Sequence, residues 1–183
     1  MFTNFSRECI EGITYLAIGV KSGALRKYSL NQAIRGVNIP DDRFLTSKEF
    51  IEIWNRLSTE DHLKYRDEKE FTINNLPENK YFRTCKVNSK QKVDTLLKNK
   101  MKIKFTTLFI DEHIVPVGII VNKILNLEEI TYDKVEEIIN NNLYLARITK
   151  IENTLIPSNK ERELSLVKNI ELYKKLNIEL TNI

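Results

Sequence analysis

Between Lys80 and Ile151 the apolar residues change their spacing in a definite succession, and that succession constrains the fold more than any other feature. YFRTCKV alternates with period two, with Tyr81, Arg83, Cys85 and Val87 on one side, as a half-buried strand does. Ser89 then stands where a helix cap belongs, ahead of Val93, Leu96 and Leu97 at helical spacing through about Asn99. MKIKFTTLFI and IVPVGIIVN follow as two apolar runs of strand length. Thr131 caps TYDKVEEIINN, whose Val135, Ile138 and Ile139 mark one helix face. LYLARITKI alternates again, with Leu143, Leu145 and Arg147 against Tyr144, Ala146 and Ile148. In order, these elements spell β-α-β-β-α-β. That is the split βαβ, or ferredoxin-like, order, and it predicts an α+β protein with a four-stranded antiparallel sheet and both helices on one face. Pro116 is the discordant residue: it donates nothing to a ladder, so either the third strand pairs only from Val117, with Gly118 at a bulge, or the strand order differs.

The flanks read as helices. Ile10, Ile13, Ala17 and Val20 recur at helical spacing, although ITYLAIGV would also suit a strand, and Ser29 is placed to cap a short helix ending near Gly36. Thr46 and Glu49 have capping-box spacing ahead of Phe50, Ile51, Ile53, Trp54 and Leu57. STEDHLKYRDEKE looks like another capped, solvated helix. Pro157 and Ser158 open a C-terminal amphipathic helix carrying Leu164, Val167, Ile170 and Leu176. The expected division is residues 1–75, mainly helical and packed on the sheet domain, 76–156 for the sheet, and 157–183 for the final helix.

Only five Gly and four Pro leave few stops for the many short turns of a β-sandwich, and 42% hydrophobic with 30% charged residues describes a folded rather than a disordered chain. No stretch approaches the roughly 20 apolar residues of a membrane span, and the N-terminus lacks a leader's apolar core. Cys9 and Cys85 are too few for a disulfide framework, so reduced thiols in the cytoplasm are expected. Heavy use of Lys, Ile and Asn suggests an AT-rich genome, such as that of a low-GC bacterium, its phages or plasmids, or a protist.

Asp111, Glu112 and His113, in the break between two apolar runs, are the first candidates for chemistry. A metal would need ligands converging from several rigid elements, whereas three consecutive residues point different ways. No HxxxH or HxxE pattern lies nearby, and His62 belongs to a separate helix. A polar turn is the expectation. Nucleophilic catalysis by Cys9 or Cys85 would need a base, and neither thiol sits in a recognisable signature. GVKSG at 19–23 lacks the spacing of a phosphate loop and reads as a helix end at Gly23. Glu128-Glu129 and Glu136-Glu137 are adjacent pairs, which on a helix diverge by about 100° and make no joint site. No cofactor and no metal are expected, and no catalytic residue is assigned.

Charge carries the functional expectation. From Asn79 to Ile110 there are nine cations (Lys80, Arg83, Lys86, Lys90, Lys92, Lys98, Lys100, Lys102 and Lys104) against Asp94 alone, a local charge of +8 that leaves −4 for the rest of a chain totalling +4. In MKIKFTTLF, Lys102 and Lys104 would share one strand face. A basic patch beside aromatics suits a polyanion backbone. The same charges would also serve solubility or guard a sheet edge. The sheet lacks the aromatic pattern of an RNA-recognition motif, so any contact would follow backbone or shape. Residues 30–57 resemble a helix-turn-helix only loosely, because a Pro-broken connection replaces the tight turn. The expected function is therefore non-enzymatic docking on nucleic acid or a nucleoprotein complex. A protein–protein inhibitor or adaptor that blocks a nucleic-acid-handling enzyme is the alternative, and a metal-dependent hydrolase built on Asp111 and Glu112 is a distant third.

Overall fold

The computed structural model describes residues 2–57, 70–72, 102–104, 109–158 and 161–182. Helix α1 (Arg7–Lys21) begins where the Ser6 hydroxyl accepts the Cys9 N–H at 3.3 Å, and it buries Ile10, Ile13 and Ala17. ITYLAIGV is thus helical. Gly23, at φ +80°, turns the chain out of α1 with its N–H on the Val20 carbonyl, so GVKSG is a helix end. Helix α2 (Lys27–Arg35) buries Leu30 and Ile34 and stops at Gly36. A 3₁₀ turn, Asp41–Arg43, then feeds strand β1 (Phe44–Ser47), and helix α3 (Lys48–Leu57) follows without a loop. The cap of α3 falls one residue later than its sequence spacing indicates: Thr46 is committed to the sheet, and the Ser47 hydroxyl accepts the Phe50 N–H at 3.0 Å.

Strands β2 (Glu70–Thr72) and β3 (Lys102–Lys104) form their own antiparallel ladder, with Phe71 opposite Ile103. The remaining described elements are β4 (Phe109–His113), α4 (Val117–Leu125), α5 (Tyr132–Asn142), β5 (Leu145–Thr149), α6 (Lys150–Leu155), α7 (Leu166–Lys175) and β6 (Leu180–Asn182). The four-stranded sheet runs β4-β5-β1-β6. Its central pair, β5 and β1, is parallel, and both outer pairs are antiparallel.

The protein is therefore a mixed α+β fold with a four-stranded sheet, but the ferredoxin-like order is not realised. IVPVGIIVN is no strand. Pro116, with φ fixed near −56° and no N–H to satisfy, caps α4, and its carbonyl accepts from Ile119 and Ile120. Val117, Ile120, Val121 and Ile124 are all buried, and a run apolar on every side cannot be assigned to helix or strand by periodicity alone. The expected turn at Asp111, Glu112 and His113 is also corrected: these residues lie within β4 and pair in register with β5. Lys102 and Lys104 are joined to β2 instead of forming a hairpin with the strand that follows them. The helix expected to open at Pro157 starts at Leu166, where the Ser165 hydroxyl accepts the Lys168 N–H, and it ends before Asn177 in the left-handed region; the chain then returns to the sheet as β6. YFRTCKV, the helix from Ser89 and STEDHLKYRDEKE lie outside the described residues, save Glu70, the first residue of β2.

Among the described residues two apolar cores are formed. One joins α1, α2, α4 and α5 through Ile10, Ile34, Ile120 and Ile139, among others. The second lies between one sheet face, with Leu45, Ala146 and Ile148, and Tyr173 and Ile178 at the C-terminal end. Among the described residues no helix is long and apolar enough to cross a membrane.

Candidate functional site

The second core covers the odd face of β1 and the even face of β5, which leaves Phe44, Leu145 and Arg147 on the opposite face. Register decides what meets there. Arg147 of β5 stands opposite Asp111 of β4 and beside Thr46 of β1, and Leu145 stands between His113 and Phe44. The Arg147 Nε donates to Asp111 Oδ1 at 3.1 Å, with the two side chains only 10% and 4% exposed. The Arg147 guanidinium also lies 4.7 Å from the centre of the Phe44 ring. Phe109, two residues before Asp111, packs edge-on against Phe50 of α3 at 4.6 Å.

The connection from α2 to β1 arches over this face and closes a cleft of about 650 Å³, with Arg35, Asn38 and Asp41 above and the β4–β5–β1 surface below. A volume of this order is typical of small-molecule sites. His113 lines the cleft. Burial first, and then the positive charges of Arg35 and Arg162, push its imidazole down from 6.5 to about 4, so it is neutral near pH 7. Arg35 is exposed, and its Nε donates to Asn31 Oδ1 at 2.8 Å within α2.

Glu112 points to the other side of β4. The buried Arg162 donates to Glu112 Oε1 at 2.8 Å and to the His113 carbonyl at 3.0 Å, tying the segment before α7 to the edge of the sheet. Nearby, burial pushes the Tyr173 phenol up. At the far end of β1, Glu152 of α6 is buried; its Oε2 accepts from Ser47 Oγ at 2.7 Å and from the Thr149 N–H at 2.8 Å, while Thr149 Oγ1 accepts the Glu152 N–H. This is a reciprocal capping box. Burial raises the Glu152 carboxyl. Arg43, also buried, sits between the Phe5 and Tyr144 rings at 4.7 and 4.8 Å and donates to the Thr3 and Asn140 carbonyls at 2.7 Å each. Burial lowers its pKa.

Of the three residues first weighed as a metal site, Asp111 and His113 share the cleft while Glu112 faces away. Among the described residues no cluster of three or more His, Cys, Asp or Glu is placed to hold a metal ion. Cys9 is half-buried and burial raises its thiol pKa; Cys85 and His62 lie outside the described residues. So do Lys80, Arg83, Lys86, Lys90, Lys92, Lys98 and Lys100 of the basic segment, whereas Lys102 and Lys104 are the end residues of β3. The sequence does not single out Arg35, Arg43, Arg147 or Arg162. Arg147 is visible as the charged member of an alternating strand, but its partner depends on a pairing 36 residues away.

No protein-family model, curated protein or solved structure matches this chain.

Proposed function

We propose that this protein is a non-enzymatic binding protein that docks on nucleic acid or on a nucleoprotein complex through its basic segment, residues 80–104. The observation that carries this reading is the separation of charge along the chain, +8 between Asn79 and Ile110 against −4 elsewhere. Lysines and arginines that replace condensed counterions on a phosphate backbone give affinity without base contacts, and that affinity falls steeply with salt. The acidic candidates support a binding role, since Asp111 and Glu112 are engaged by Arg147 and Arg162 in holding the sheet together. Salt-titrated binding of wild type and Lys98→Glu/Lys102→Glu/Lys104→Glu to duplex and single-stranded probes tests the reading. The triple variant should bind at least tenfold more weakly at about 0.1 M salt, with a slope of log K against log salt shallower by about 2 to 3. Equal affinity at every salt concentration removes the proposal.

An inhibitor or adaptor that blocks a nucleic-acid-handling enzyme is the second reading. It is favoured by the exposed apolar side chains of α1, α2 and the turn between them: Tyr15 and Tyr28 are 73% and 70% exposed, with Ile18 and Leu25 also on the surface. A stoichiometric protein partner that persists after nuclease treatment, and that is lost from Tyr15→Ser/Tyr28→Ser, would select it.

A further inference from the structure

The cleft above the sheet is lined by residues outside the basic segment. On its floor Arg147 and Asp111 face each other in an ion pair. Its walls include the apolar side chains of Val37, Phe44 and Leu145. At one end the exposed Arg35 makes no ion pair among the described residues, and its charge reaches the His113 imidazole inside the cleft. A cation beside a neutral, largely desolvated imidazole is an arrangement that an anion completes. Arg35 supplies a planar set of donors, and His113, by taking up a proton, supplies another.

We propose that this cleft binds a small molecule with an oxyanion, phosphate or carboxylate, on an apolar body: the oxyanion between the Arg35 guanidinium and the His113 ring, the body against Val37, Phe44 and Leu145. Asp41 also lines the cleft, and its carboxylate disfavours a second negative charge, so the rest of the ligand is neutral or carries a hydrogen-bond donor. Binding converts His113 from neutral imidazole to imidazolium, so the ligand and a proton bind together below neutral pH. Among the described residues, the charged groups around that ring are Asp111 and Arg147 on the same face, Asp41 and Arg35 above, and Arg162 and Glu112 behind the strand.

NMR of the His113 ring in the full chain tests this, with the resonance assigned by comparison with His62→Gln. Phenyl phosphate and benzoate are titrated separately at pH 6 and constant ionic strength. A saturable shift of the His113 signals with either probe is expected, accompanied by a higher His113 pKa, and Arg35→Gln should weaken it about tenfold or more, the scale of one charge-assisted hydrogen bond. Which probe saturates identifies the oxyanion class. Linear, non-saturating shifts with both probes, or the same midpoint in Arg35→Gln, overturn the proposal. Arg35 is exposed, so its replacement leaves the fold intact, and Lys98→Glu/Lys102→Glu/Lys104→Glu should bind the probes as wild type does. Failure at this cleft is thereby distinct from failure of nucleic-acid docking.

Discussion

Asp111 and Arg147 stand opposite each other across β4 and β5, with Nε and Oδ1 3.1 Å apart in a nearly solvent-free setting. Two charges so placed are costly to separate by mutation, because removing one leaves the other desolvated. Replacing both with apolar groups of similar shape removes the desolvation cost together with the attraction. Asp111→Ala or Arg147→Ala alone should therefore lower stability by about 3–5 kcal/mol. Asp111→Val/Arg147→Met, which keeps an apolar contact on Phe44, should lie within about 1–2 kcal/mol of wild type. Urea denaturation of the three variants checks this, and additive losses in the double variant would show that the pair is not coupled.

His113 gives stability a definite pH dependence. Its folded pKa, about 4, lies below the ordinary 6.5, so the unfolded chain takes up the proton first as the pH falls. The stability is fully present above about pH 6.5 and is lost progressively down to about pH 4, by about 3 kcal/mol in all. His113→Gln lacks that titration. Wild type should lose roughly this much relative to the variant over the same interval, measured by denaturant midpoints at constant ionic strength. Parallel curves for the two proteins would contradict a buried neutral imidazole.

Glu152 should behave in the opposite sense. Burial holds its carboxyl above the ordinary range, so its native environment prefers the protonated form. That contribution is present at low pH and is lost as the pH rises through the folded pKa. Glutamine accepts the same bonds from Ser47 and Thr149 without a charge, and it serves in a capping box. Glu152→Gln should be at least as stable as wild type at pH 7, by an amount that shrinks on acidification. Glu152→Ala, which strands two donors, should lose about 1–3 kcal/mol. Thermal melts at pH 4 and pH 7 test both, and a Gln variant as damaged as the Ala variant would show that the carboxylate charge itself is required.

Local periodicity served well where an element is long enough to repeat its signal. Ile10, Ile13 and Ala17 identify the buried stripe of α1, and the alternation around Leu145, Ala146, Arg147 and Ile148 identifies β5. Pro116 was the one residue at odds with a strand after Ile114, and its geometry at the cap of α4 explains the conflict. The charged stretch Asp111–His113 reads as a turn because a strand seldom carries Asp, Glu and His together. It is a strand because arginines distant in sequence, Arg147 and Arg162, neutralise both carboxylates.

The sequence by itself determined the mixed helix-and-strand character, the buried stripes of α1 and α5, the alternation of β5, and the separation of basic from acidic charge, since each depends on residue type and near-neighbour spacing. Tertiary structure alone decided the rest. Strands β1 and β6 have four and three residues, too short to show a period, and they exist because β5 and β1 supply ladder partners. The cleft follows from that assembly: Arg35, His113 and Arg147 line one cavity only when β1 is laid parallel to β5 and the α2–β1 connection is drawn across the sheet, which brings together positions more than 100 residues apart in the chain.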